Sequence, residues 1–127
     1  MLLEEELAQW LRDRGITAPI SYDYLPDAEP HTAVAISISG GLGMTLEQQL
    51  DRPTVSVLTR APNGRAARDL GIQLDRAMLD PDPGFTLEPS GTRVSDKGRF
   101  GGPPSFVAID DRSRVVRNAI YWMEVTR

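Results

Sequence analysis

Residues 52–79, from Arg52-Pro53 through Thr54–Thr59 and Pro62-Asn63-Gly64 to Leu79, constrain the fold more than any other stretch of this chain. They spell a strand, a tight turn and a helix. Val55 and Val57 alternate with Thr54, Ser56 and Leu58, the period of two expected of a half-buried strand. Pro62-Asn63-Gly64 breaks it, and Asn63 suits an N-cap because its side-chain oxygen can accept an otherwise orphaned backbone N–H. From there Ala67, Leu70, Leu74, Ala77 and Met78 recur every three or four residues, the apolar stripe of an amphipathic helix. A phosphate-binding or nucleophile turn at this junction would carry glycines with a lysine, or an exposed nucleophile. Here it carries Arg60, Asn63 and Arg65, so the unit reads as structural.

The same reasoning places the other elements. Residues 2–14 form a first helix, with Leu3, Leu7, Trp10 and Leu11 on one face and Glu4, Glu5 and Glu6 in the first turns, where the helix dipole favours negative charge. Arg12 and Arg14 lie near its end, and Gly15 is a natural residue just past it. Ile20–Leu25 is a short alternating strand closed by Pro26, and Ala33–Ile38 is a second. Gly40–Asp51 reads as a loop. After the central unit, Asp80-Pro81-Asp82-Pro83-Gly84 stops the helix because neither proline can continue it. Phe85–Val94 is a weak strand interrupted by Pro89-Ser90-Gly91, and Ser95–Pro104 is a turn-rich loop. Ser105–Ile109 is a short strand and Asp110–Ser113 a hairpin-like turn. Arg114–Thr126 is the longest strand, with Val115, Ala119, Tyr121, Met123 and Val125 on one side and Val116, Asn118, Ile120 and Trp122 on the other. Short connections make most neighbouring strands antiparallel. The expected fold is one α+β domain over residues 1–127, a mixed, mostly antiparallel sheet with two helices on one face.

Composition narrows the function classes. No apolar run approaches the roughly 20 residues of a membrane span, and the acidic start is unlike a signal peptide. Cysteine is absent, which excludes disulfides and thiolate metal sites. The net charge of −4 makes the chain a poor coat for nucleic acid, whose binding rests on neutralised phosphates. That charge is uneven: residues 1–84 carry seven basic and 13 acidic side chains, residues 85–127 seven basic and five acidic.

No catalytic constellation emerges. His31 is the only histidine and sits in a polar turn. A Ser-His-Asp arrangement would need Ser37, Ser39 or Ser105 beside it, and none lies in a nucleophile elbow. Gly40-Gly41-Leu42-Gly43 lacks the lysine of a phosphate loop. Asp80, Asp82, Asp110 and Asp111 match no cation-binding spacing and are accounted for by helix termination and a turn. Trp10 and Trp122 read as core residues.

Taken in order, Leu2–Ile16, Arg52–Arg60, the Ala66–Leu79 helix and the closing Ala119–Arg127 resemble the small tail terminator, or minor capsid (tail completion), proteins of long-tailed double-stranded DNA phages. The likeness covers nearly the whole chain as a diffuse pattern without an invariant motif. It implies an α+β fold and a homo-oligomeric ring, a hexamer in the virion. That ring would cap the tail tube, meet the tail tube protein and the head–tail connector protein, and leave a lumen for passing DNA. It also implies a virion location at the head-proximal end of the tail, after synthesis in the host bacterial cytoplasm. No catalytic residue, metal or cofactor belongs to the family, and neither a membrane nor sequence-specific nucleic acid is a partner. The alternatives are a small hydrolase with a site among His31, Asp110 and Asp111, a head–tail connector or neck protein of related fold, and a ligand-binding module using its sheet. For a ring, the charge asymmetry offers two unlike surfaces. Glu4, Glu5 and Glu6, with Asp27 and Glu29, would face Arg93, Arg99, Arg112, Arg114 and Arg117 of a neighbour as the expected oligomer interface.

Overall fold

The two alternating apolar segments become β2 (Ala33–Ser39) and β4 (Thr54–Ala61), paired antiparallel with Ile36 opposite Val57 and Ile38 opposite Val55. The computed structural model describes residues 3–26, 31–39, 50–81, 84–100 and 105–126. Its remaining elements are α1 (Leu3–Asp13), β1 (Ile20–Tyr22), β3 (Leu50–Asp51), α2 (Gly64–Leu79), β5 (Phe85–Leu87), β6 (Thr92–Arg99), β7 (Ser105–Ile109) and β8 (Val115–Thr126). The fold is α+β, a mixed and mostly antiparallel sheet with both helices on one face.

The long strand β8 is the axis of the sheet, whose order is β1-β2-β4-β8-β6-β5. Along one side of β8 lie β4 and, beyond Arg52-Pro53, the two residues of β3. Along the other side β6 pairs with the last part of β8 and β7 with its start, both antiparallel. Between them the Phe100 N–H donates to the Ile120 carbonyl, so the ladder continues from β6 towards β7. The one parallel pair is β1 with β2, which makes the sheet mixed.

Register explains the core. Val34 and Ile36, Val55 and Val57, and Ala119, Tyr121, Met123 and Val125 share the face that receives Leu7 and Leu11 of α1 and Leu70, Leu74 and Met78 of α2. Asn63 caps α2 as its sequence implies, accepting the Ala66 N–H at 2.9 Å from an extended backbone. Gly15 takes φ +98° after α1, where a side chain would be strained.

Five sequence expectations change. Ser95–Arg99 is strand rather than loop, paired with Glu124–Tyr121 past a bulge between Val94 and Asp96. Gly98 explains why the segment resembles a turn: a Cβ there would lie 2.7 Å from the Trp122 indole, so the glycine makes room for that ring. Trp122 is therefore half-buried on the face away from the helices. Phe85–Val94 is two strands of a hairpin turning through Glu88–Gly91, and Leu50-Asp51 is a strand rather than loop. The first short strand ends at Tyr22, with Asp23 at φ +71°. The loop reading of 40–49 and of 101–104 falls outside the described residues.

Candidate functional site

Several polar side chains with chemistry to offer are used within the fold. Glu6, 3% exposed, accepts a hydrogen bond from the Ser90 hydroxyl at 2.6 Å, and Ser90 also lies 2.7 Å from the Thr92 hydroxyl. Asp75 on α2 accepts the Tyr121 hydroxyl at 2.9 Å and pairs with Arg99 at 3.4 Å. Burial, together with the Asp75 charge and hydrogen bond, pushes the Tyr121 phenol well above its ordinary value; the Arg99 charge opposes this without reversing it. Tyr121 is thus a neutral donor that ties the second helix to the axis of the sheet.

Asp110 organises the β7–β8 turn. One of its oxygens accepts the Arg112 and Arg114 N–H groups at 3.0 and 2.9 Å, and the other takes the Arg114 Nε at 2.7 Å. Burial pushes its carboxyl up, but the Arg114 amide and guanidinium and the Arg112 amide outweigh this and hold it below the ordinary aspartate value. Both carboxylate oxygens are engaged, so Asp110 is not poised to orient a histidine. His31 is exposed, and its carbonyl accepts the Arg60 Nε at 3.3 Å; the Arg60 Nη1 also reaches the Pro26 carbonyl. Among the described residues no three His, Cys, Asp or Glu side chains gather as metal ligands would.

Of the ten charged residues expected at an interface, Asp27 and Glu29 lie outside the described residues and the other eight are scattered. Glu6 and Arg114 (1% exposed) lie inside the subunit and cannot supply surface charge, which corrects their assignment. The reason is local in one case and remote in the other: Arg114 folds onto a carboxylate four residues earlier, Glu6 onto a hydroxyl 84 residues later. Arg99 pairs with Asp75, and Arg93 lies within reach of the Thr86 hydroxyl at 3.4 Å. Glu4, Glu5 and Arg117 are half-buried, and Arg112 is fully exposed on the hairpin turn. Trp10, expected in the core, is a half-buried stacking residue, 3.8 Å from Phe85 between ring centres, with the Arg14 guanidinium 4.7 Å from its centroid.

What remains distinctive is apolar. All five residues of β7 are exposed, Phe106 at 56% and Ile109 at 62% among them. Phe100, Val107 and Ile120 add to the same region. Among the described residues no strand pairs with the far side of β7. Sequence reasoning found the strand and missed its exposure. The signal was there: four apolar residues in a row, with no polar alternation to mark a solvent face, flanked by turn formers.

No sequence family and no curated protein matches this chain. Its fold is similar to that of a solved protein whose name states no activity, over 94% of this chain and 89% of the other, with a TM-score of 0.54 and 17% identity. That likeness concerns the fold alone.

Proposed function

We propose that this chain is a structural virion protein, a tail terminator that caps the phage tail tube as an oligomeric ring and forms the surface joined by the head. The observation that carries this reading is the apolar, open-edged β7 region, a surface suited to assembly rather than to chemistry. The α+β fold is also the one that the resemblance implies. Of the residues of the competing hydrolase reading, Asp110 is engaged by Arg114, while His31 and Asp111 are exposed.

The test is genetic and biochemical. In the phage encoding this chain, a stop codon at Trp10 should leave filled heads and tails apart in electron micrographs of lysates. Adding the purified protein should restore joining, and the His31→Ala protein should restore it equally. Normally joined particles from the stop mutant would sink the proposal. A well-folded His31→Ala protein that fails to complement would bring back the enzyme reading.

A further inference from the structure

Among the described residues β1 ends the sheet on one side, β5 and β7 both lack an outer strand on the other, and the exposed apolar side chains gather at β7 with one beside β1. Of seven large hydrophobic residues exposed among those described, five (Phe100, Phe106, Val107, Ile109 and Ile120) lie along or beside β7. A sixth, Tyr24, lies two residues past β1, the opposite edge strand. Edge strands of monomers are usually blunted by charge or proline. The bulge between Phe106 and Ala108 is the only such device on β7, whose five residues include no charge and no proline.

Register places the two edges level with each other. Ile20 is opposite Val34, Val34 opposite Thr59, Thr59 opposite Arg117, and Arg117 opposite Phe106. Strand sense is also compatible. β1 runs with β2, β2 against β4 and β4 against β8, so β1 runs with β8, and β7 runs against both. A second copy set beside the first with its strands in the same sense therefore presents β1 antiparallel to β7, the more stable pairing. Such a joint is heterologous, and repeating it makes a ring where its rotation closes, which is the geometry that the ring reading requires. The exposed side chains flank this edge on both faces, Phe106 on that of Arg117 and Ile120 on the other, and together expose on the order of 500 Å² of apolar area, against the ~800 Å² that a standard interface takes from each partner.

We infer that β7 of one copy adds to β1 of the next, joining subunits head to tail through a continuous sheet. This deepens the ring reading and rests on it for the number of copies.

The absence of cysteine makes the test direct. Ser21→Cys and Val107→Cys proteins, each confirmed as folded by its thermal melt, are treated with a short bis-maleimide singly and mixed. Cross-linked dimers should form in the mixture, and a ladder of higher oligomers should form in the double variant. Val107→Lys should weaken self-association in sedimentation by about tenfold or more, the cost of leaving one valine's burial unmade. Its melting midpoint should stay unchanged, because that side chain is already exposed. The inference is overturned if Val107→Cys alone cross-links as well as the mixture, which would mean like edges meet. It is also overturned if the protein is an oligomer that the mixture does not cross-link, or a monomer at every concentration. Val107→Lys protein that still restores head–tail joining would overturn this joint and leave the proposed function standing. Cross-linking by a protein dispensable for joining would do the reverse.

Discussion

At the scale of single residues, several charged side chains of this chain are spent on its own fold, and Asp110 is the clearest case. Its folded-state pKa is depressed by the Arg114 and Arg112 contacts. Such a group contributes stability that is fully present above its unfolded pKa of about 3.9 and is lost as pH falls through the lower folded value. Asp110→Asn should therefore lower the urea midpoint at neutral pH, and the gap from wild type should shrink below about pH 4. Denaturant titrations at pH 7 and in that acid range measure it. A gap that stays constant or widens in acid would mean the carboxylate charge contributes nothing. The Asp110–Arg114 pair was legible in principle from a spacing of four across a turn. The Glu6–Ser90 bond was not, because nothing in either segment announces a partner so distant in sequence.

At the scale of elements, legibility followed periodicity. α2 and its Asn63 cap, β2, β4 and the two faces of β8 all came from patterns of two or of three to four, because each buries a defined face. β6 did not, since Ser95-Asp96-Lys97-Gly98-Arg99 carries no strand propensity of its own. Its conformation comes from pairing with β8 across the sheet and from Gly98 yielding space to Trp122. The parallel sense of β1 was equally hidden, because a short strand's own residues do not encode the direction of its neighbour. Within α2 the stripe makes a sharp contrast. Leu74, 1% exposed in the shared core, should lose about 2–5 kcal/mol of stability when changed to alanine. Ile72→Ala, on the exposed side, should change stability by about 0.5 kcal/mol or less. Equal effects at the two sites in chemical denaturation would mean the helix is rotated from the orientation described here.

At the scale of the whole molecule, some of the surface charge lies at the ends of the strands rather than at the edges of the sheet. Glu4 and Glu5 start α1 near the β5–β6 turn, where Glu6 meets Ser90, at the level of the last residues of β8. Arg112 lies on the turn that leads into the first residues of β8, and Arg65 opens α2 just past Ala61, which pairs with Val115. Twelve strand residues, about 40 Å at roughly 3.3 Å each, separate the two ends. In a ring joined through its sheet edges, Glu4 and Glu5 would sit on the face opposite to Arg65 and Arg112, where these charges could not bring neighbours into register. Opposite charge is then suited to axial partners, while apolar edges hold the subunits together. Exposed charges of this kind act on association rate and fade with salt. Arg65→Glu with Arg112→Glu should accordingly leave self-association within about twofold of wild type, well under the tenfold that 1.4 kcal/mol represents. The glutamate at the first turn of α2 is compatible with the helix dipole, so folding should be preserved. The same variant should join heads to tails more slowly at low salt, with the deficit narrowing as salt rises. Sedimentation and timed joining assays over a salt series separate the two effects. If self-association falls as far as joining does, the basic end lies in the subunit joint, and the division between apolar edges and charged ends is wrong.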